Sequence, residues 1–247
     1  MIGLKSLLDR AIVAERRIGM QQPANLPFAK PYEPLVSMRY CSKKITIYPA
    51  YYLQKLPGSS SDLLLRRGVA ERLMAVAERL PGRQCLVLFD GWRSLKTQRY
   101  LYDRAVRHFR EQGYDEYRMK EVMGGFVAYP SGNPAYPPPH YTGAAVDLTL
   151  GTSSGWLNMG TAFDDFTPRA HTNYFERRQP VSDDEILARN NRRFLRTMME
   201  TAGFTQNPDE WWHFSYGDRT WAEAHRCPPL YGGINPRSDQ DSGAYKT

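Results

Sequence analysis

Two stretches of the chain contain residue types that can bind a metal ion. PPPHYTGAAVDLTL contains His140 and Asp147, and EWWH contains Glu210 and His213. Catalytic zinc is commonly held by three ligands drawn from histidine and carboxylate groups, with water in the remaining position. A glutamate that lies close to the metal without binding it can take a proton from that water. The residue types therefore indicate metal-assisted hydrolysis, with the two histidines and the aspartate as candidate ligands and the glutamate as the candidate base.

The same residues also have simpler explanations. Asp147 could pair with an arginine or accept backbone N–H groups, and His213, which follows Trp212, could be a core histidine. In a regular strand Glu210 and His213 would point to opposite faces, so the metal interpretation requires a turn before the strand. Asn207–Pro208 favours such a turn. Residue types alone leave both interpretations open.

A candidate cation, Arg93, lies in DGWRS, between a predicted strand and a helix that Ser94 can cap. A fixed guanidinium can bind a substrate carboxylate or stabilise the oxyanion that forms when water attacks a carbonyl. The simpler alternative is a surface ion pair between Arg93 and Asp90, which would contribute little.

The sequence lacks the motifs of several other enzyme classes. G-x-S-x-G, the glycine-rich phosphate loops and H-E-x-x-H are all absent. The three cysteines share no close spacing, so they predict neither a disulfide framework nor a C-x-x-C metal site. The candidate chemistry therefore rests on the metal-ligand types and Arg93.

The elements that must position these residues are helices and strands in mixed order, without clean βαβ repeats, which is typical of an α+β domain. The predicted strands are 85–89, 144–150 and 210–216; the predicted helices are 62–80, 95–112 and one that a capping box at 182–185 opens. We expect a single domain over 1–234, with an N-terminal helix and an extended proline-rich segment within 1–36. A polar tail over 235–247 is expected to follow it.

The net charge and the hydropathy of the sequence indicate which partners and which cellular location to expect. The net charge of +7 comes from scattered arginines, so a solvated basic surface is favoured over nucleic-acid binding. No apolar run is long enough to span a membrane, and the N-terminus has an amphipathic pattern in place of the apolar core of a signal peptide. We expect a cytoplasmic protein, or a periplasmic one if an export signal has been removed. Oligomeric state is not indicated.

Six segments follow one another along the chain in this order: DGWR, GGFVAYPSG, HYTGAAVDLTL, MGTAFDDF, NNRRFLRTMMETAGF and DEWWHF. Over roughly 86–216, this succession resembles the D-alanyl-D-alanine dipeptidases of the vancomycin-resistance type, zinc metallopeptidases related to the D-Ala-D-Ala carboxypeptidases. The resemblance implies a compact α+β domain with a largely antiparallel central sheet flanked by helices, and a zinc cleft beside the sheet. It also implies one Zn²⁺ per chain and a small dipeptide substrate, D-Ala-D-Ala or a close relative.

The resemblance extends to individual residues. It implies that the three candidate ligands bind zinc and that Glu210 is the general base, which also passes its proton to the leaving amine. Arg93 would stabilise the tetrahedral oxyanion. Asp164, in MGTAFD, would help to hold the free ammonium group of the substrate.

Two departures from the family pattern affect substrate binding. The family's DGYRP is DGWRS here, with the arginine retained. The family usually has a serine two residues before the first ligand, where it helps to bind the substrate carboxylate, and this position is Pro138, which has no donor. We expect Ser131, Tyr136 or Tyr141 to take over the contact, or the carboxylate pocket to differ.

Two other functions compete with a dipeptidase. One is a D,D- or L,D-carboxypeptidase or endopeptidase that acts on cell-wall peptides and accepts an acylated amino group. The other is a catalytically silent zinc-binding domain on the same scaffold, because fold does not imply function. The presence of both Glu210 and Arg93 argues against the silent domain.

Overall fold

The structure is a computed structural model that describes residues 28–30 and 33–236. The predicted N-terminal helix and nearly all of the predicted polar tail lie outside these residues. The domain limits 1–234 therefore stay a prediction.

Six strands form the central sheet, and two more form a separate antiparallel pair. In chain order the strands are β1 Leu35–Ser37, β2 Ile45–Ile47, β3 Leu64–Arg66, β4 Cys85–Asp90, β5 Ala145–Thr152, β6 Gly155–Trp156, β7 Thr205–Gln206 and β8 His213–Ser215. The central sheet has the order β2-β4-β5-β8-β7, with β6 paired to the end of β5, and β1 pairs with β3. Only β2 and β4 are parallel among the described strands of the central sheet. The expected α+β fold with a largely antiparallel sheet is confirmed.

Seven α-helices flank the strands within the described part of the chain. They are α1 Ala50–Leu53, α2 Arg67–Glu78, α3 Leu95–Glu111, α4 Glu116–Phe126, α5 Tyr174–Arg177, α6 Asp183–Thr201 and α7 Arg219–His225. The side chains of Ser94 and Ser182 accept hydrogen bonds from Thr97 N and Glu185 N, and thereby cap α3 and α6. Both caps were predicted from the sequence.

The predicted helix over 62–80 is only partly present. Its first residues form β3, which pairs with β1 so that Leu35 lies opposite Arg66 and Ser37 opposite Leu64. The helix then begins at Arg67. Tertiary pairing with a strand about thirty residues earlier overrides the local helical pattern.

The central strand β5 is buried along nearly its whole length. Because alternate side chains point to opposite faces, Val146, Leu148 and Leu150 project together into the main core, whereas Asp147 projects to the other side. Helix α6 packs against β5. A second, smaller apolar cluster includes Leu101 of α3 and Met123 of α4. The sheet thus carries a polar side chain in the middle of an otherwise apolar strand.

A buried arginine ties the segment before α6 to that helix. Arg192 is 3% exposed and donates hydrogen bonds to the carbonyl oxygens of Met159 (2.7 Å), His171 (2.8 Å) and Arg169 (3.0 Å). Burial lowers the pKa of Arg192 to about 9. The bonds fix both ends of the segment that contains Asp164.

No helix in residues 28–30 and 33–236 combines the length and apolar character that crossing a lipid bilayer requires.

Removal of a core side chain from β5 should destabilise the whole domain. Leu148 is fully buried, so we expect Leu148→Ala to lower the free energy of unfolding by about 2–5 kcal/mol through lost contacts and a cavity. Leu187→Ala on α6 is the matched control, because Leu187 is 49% exposed, and its change should stay within about 0.5 kcal/mol. Denaturant unfolding measures both; equal losses in the two variants would contradict the assigned core.

Candidate metal centre and substrate cleft

Three different elements bring the candidate ligands together. His140 begins the 3₁₀ turn His140–Thr142, Asp147 lies in β5 and His213 is the first residue of β8. Antiparallel pairing of β5 with β8 places Asp147 directly opposite His213, and such cross-strand neighbours share one face of a sheet. All three side chains are buried, and one ligand atom from each lies within 4.8 Å of the others.

The spacing of the ligand atoms fits a tetrahedral ion. His140 Nε2 lies 3.1 Å from His213 Nδ1 and 3.3 Å from Asp147 Oδ2, and His213 Nδ1 lies 3.0 Å from Asp147 Oδ1. Tetrahedral zinc with bonds of about 2.0–2.1 Å separates its ligand atoms by about 3.3–3.4 Å. Two imidazole nitrogens and a carboxylate oxygen are also ligand types that zinc commonly binds. The residues therefore fit a metal site.

In each candidate histidine ligand, the ring nitrogen that faces away from the other ligands has a contact of its own. His140 Nδ1 lies 2.8 Å from the carbonyl oxygen of Gly91, which can only accept, so this nitrogen carries the proton and Nε2 presents its lone pair to the site. His213 Nε2 lies 3.4 Å from Ser215 Oγ, and Nδ1 faces the other ligands. The Gly91 contact favours the His140 tautomer that metal binding needs.

The turn that carries His140 is fixed by Gly143 and Arg66. Gly143 has a φ of 72°, in the left-handed region that favours glycine, and a Cβ at this position would also clash with the side chain of Leu35. The buried Arg66 donates from Nε to the carbonyl oxygen of Thr142 at 2.8 Å. The first candidate ligand is thus attached to the β1–β3 pair.

Arg93 lies inside the site and is not a surface residue. Its guanidinium donates to Asp90 Oδ2 (2.7 Å), Gln98 Oε1 (3.0 Å) and Asp147 Oδ2 (3.3 Å). The pairing with Asp90 does exist, but both partners are buried, so the simpler surface-pair explanation fails. Burial acts to lower the pKa of Arg93, and Tyr51, Asp90 and Asp147 outweigh it and raise the pKa. Arg93 therefore stays cationic.

Asp147 is an ionised group in a buried strand. Burial alone would raise the pKa of its carboxyl group, but His140 and then His213 outweigh that effect and hold the pKa well below its usual range. The suggestion that Asp147 pairs with an arginine is also correct, because Arg93 is one of its partners. The arginine and the metal interpretations are therefore compatible.

Glu210 occupies the turn that precedes β8, as the metal interpretation requires. Asn207 Nδ2 donates to Glu210 Oε2 at 2.8 Å, and the same oxygen lies 3.8 Å from His213 Nδ1. Burial raises the pKa of Glu210 well above its ordinary value, and Asp147 and Asp164 raise it further. The carboxylate is thus next to the candidate ligands and more basic than an exposed glutamate.

Asp164 lies in the same cleft with both carboxylate oxygens engaged. The hydroxyl of Tyr51 donates to Oδ1 and Arg104 Nη2 donates to Oδ2, each at 2.9 Å. Burial raises the pKa of Asp164, against the effect of Arg104. A cleft of about 310 Å³ has both Asp164 and the candidate ligands in its lining.

The structure does not bring the expected carboxylate-binding residues into the lining of this cleft. Ser131 accepts a hydrogen bond from Asn133 N, Tyr136 lies under Arg219, and the ring of Tyr141 lies 6.4 Å from that of Trp92. From this loop, Pro139 and His140 line the cleft. The substrate roles of Ser131 and Tyr141 stay a prediction.

Several cleft residues escaped the sequence analysis. Asn207 and Gln98 orient the predicted base and cation, and their positions three residues before Glu210 and five after Arg93 would have been usable signals. Tyr51 and Arg104 reach Asp164 from 113 and 60 residues away. Such tertiary contacts leave no local pattern.

Comparisons with known proteins identify relatives of this chain. A D-alanyl-D-alanine dipeptidase from Synechocystis sp. is 35% identical over 180 residues, which cover 66% of this chain and 72% of the relative. A D-alanyl-D-alanine dipeptidase from Enterococcus faecium is 29% identical over 147 residues, or 57% of this chain and 66% of the relative.

Two solved structures were also matched. The vancomycin resistance D,D-dipeptidase VanXYg, in complex with a D-Ala-D-Ala phosphinate analogue, has a TM-score of 0.33 at 21% identity, over 67% of this chain and 57% of that one. VanYB in complex with D-Ala-D-Ala has a TM-score of 0.35 at 17% identity, over 68% of this chain and 82% of that one.

The family model described as D-Ala-D-Ala dipeptidase matches residues 57–230. This range contains every candidate catalytic and ligand residue described above. The chain belongs to this family of hydrolytic enzymes, Peptidase M15, the D-Ala-D-Ala dipeptidases.

Proposed function

We propose that the protein is a zinc dipeptidase that hydrolyses D-Ala-D-Ala or a closely related dipeptide. The observation that carries the proposal is the buried cluster of His140, Asp147 and His213, with spacing that suits a tetrahedral ion. His140 Nε2, a carboxylate oxygen of Asp147 and His213 Nδ1 would hold one zinc ion. When bound, zinc acts as a Lewis acid and lowers the pKa of a coordinated water towards neutrality.

Glu210 has the role of general base. Its raised pKa brings it closer to the working pH, where a base both stays available and drives proton transfer. It accepts a proton from the attacking water and delivers it to the amine that leaves. Asn207, bonded to Oε2 at 2.8 Å, limits the rotation of the carboxylate.

Arg93 supplies positive charge where the scissile carbonyl oxygen becomes an oxyanion. The contacts with Asp90 and Gln98 fix the guanidinium before substrate arrives, so little reorganisation is needed during the reaction. Burial strengthens the interaction because the site has a low effective dielectric constant.

Asp164 supplies negative charge for the amino group of the substrate. Its carboxylate lies in the same cleft as Arg93 and Glu210, and each oxygen retains a lone pair beyond its present hydrogen bond. A free dipeptide ammonium would bind there while its carbonyl lies at the candidate metal centre.

The metal assignment predicts the zinc content of two histidine variants. Zinc-loaded wild-type protein should retain about one equivalent after dialysis, and His213→Ala should lose most of it because one of three ligands is gone. His225→Ala is the matched control, since His225 is exposed on α7, and it should bind as the wild type does. Elemental analysis measures this, and full retention by His213→Ala would refute the ligand set.

The proposed role of Glu210 predicts that its replacement lowers kcat without removing the bound metal. With zinc bound, Glu210→Gln should keep its metal and its fold, but its kcat for D-Ala-D-Ala should fall by about 10²–10⁴-fold, as loss of a general base does. Glu71→Gln changes an exposed residue of α2 in the same way and should leave kcat unchanged. Release of free D-alanine is the readout. A near-native kcat in the first variant would eliminate the proposed base.

A further inference from the structure

The side-chain amide of Asn207 connects Glu210 to the C-terminal end of α4. Its Nδ2 donates to Glu210 Oε2 at 2.8 Å and to the carbonyl oxygen of Gly125 at 3.3 Å. Its Oδ1 accepts a hydrogen bond from Asp209 N at 3.1 Å. Because Oδ1 faces a donor and Nδ2 faces two acceptors, these contacts define the orientation of the amide. One side chain therefore holds the carboxylate of Glu210 and the backbone of α4 at the same time.

The backbone of Asn207 is fixed by contacts on both of its sides. Asn207 N donates to the carbonyl oxygen of His213 at 3.0 Å, and Thr172 Oγ1 donates to the carbonyl oxygen of Asn207 at 2.7 Å. Asn207 also precedes Pro208, which restricts its own backbone conformation. The amide thus starts from a fixed point beside β8 and reaches across to α4.

Gly125 allows α4 to lie close to this turn. A Cβ at Gly125 would collide with the side chain of Asp209, the residue before the base. A Cβ at the neighbouring Gly124 would meet no surrounding atom of the described residues within 4 Å. Glycine is unfavourable inside a helix, so the close approach gives a physical reason for a glycine at position 125.

The apolar face of α4 sets the position of the Gly125 carbonyl group. Met119 and Met123 are buried in the second apolar cluster, together with Leu101 of α3. Gly125 follows them on the same helix and lines the cleft that also contains Glu210. The packing of α4 therefore limits where the Asn207 amide, and with it the carboxylate of Glu210, can lie.

We propose that Asn207 is a positioning residue for the general base, and that α4 supports it through Gly125. Proton transfer requires hydrogen-bond geometry between the base and the attacking water, so a carboxylate that rotates freely is productive for less of the time. This inference rests on the proposed role of Glu210, and it extends the catalytic support to a helix that carries none of the candidate ligands. The competing explanation is a contact that only stabilises the fold.

The experiment measures kcat and KM for D-Ala-D-Ala in the zinc-loaded, full-length protein. Asn207→Ala removes the amide, and Asn207→Ser removes it while keeping an oxygen that can accept from Asp209 N. In both variants kcat should fall at least about tenfold with KM within about twofold, as expected for loss of a hydrogen bond to a charged group. Asn190→Ala is the matched control, because Asn190 is exposed on α6, and its kcat should equal that of the wild type.

The part played by α4 is tested by two glycine variants. Gly125→Ala and Gly124→Ala add the same methyl group at adjacent positions of α4. The value of kcat should be at least about fivefold lower in Gly125→Ala, because its methyl group forces the helix and the turn before Glu210 apart and small displacements of a catalytic group slow the reaction. Zinc content and thermal unfolding are measured for every variant.

A repeat in the Glu210→Gln background separates positioning from a structural role. Asn207→Ala and Gly125→Ala should then leave the residual kcat within about twofold, because no base remains to be positioned. A defect of the fold or of substrate binding would lower the residual kcat as well, and that result overturns the proposal.

Two further results bear on the proposal in different ways. A near-native kcat in either Asn207 variant, or equal values in the two glycine variants, also overturns it, while leaving the proposed dipeptidase function intact. A zinc-loaded wild type that does not cleave D-Ala-D-Ala, or a Glu210→Gln variant that cleaves it at a near-native rate, overturns the proposed function and this inference with it.

Discussion

The ionised carboxylate of Asp147 lies in the middle of a buried strand, and the site is built around the need to compensate its charge. An isolated carboxylate in such an environment would be protonated or would destabilise the fold. Three groups meet this need, each from a different part of the chain: His140, His213 and Arg93. A metal ion held by the two histidines and the aspartate would compensate the same charge more completely.

The elements around the cluster explain why it stays in place. The pairing of β5 with β8 sets Asp147 opposite His213, and the Gly143 turn, tied to Arg66, sets His140 above them. A second buried arginine, Arg192, fixes the segment that presents Asp164. Rigid backbone elements thus support the ligands, while the side chains that face substrate are oriented by neighbours such as Asn207 and Gln98. Preorganisation of this kind is what electrostatic catalysis requires.

Local sequence predicted the residues of this site better than their partners. His140, Asp147, Glu210 and Arg93 stood in short motifs at strand and turn boundaries, and the structure brings all four together, although their roles remain proposals. The strand predicted over 144–150 corresponds to Ala145–Thr152, because β-branched and apolar residues continue through it. β3, by contrast, was predicted as helix, since its identity depends on pairing with β1. Arg104 and Tyr51 were missed for the same reason: their importance comes from contacts across the fold.

The position of a bound metal ion tests the central claim most directly. A crystal of the zinc-loaded protein, measured with X-rays at the zinc absorption edge, would locate the ion by its anomalous scattering. The account predicts one peak per chain, about 2.0–2.2 Å from His140 Nε2, an oxygen of Asp147 and His213 Nδ1. A peak at another place, with this cluster left empty, would contradict it.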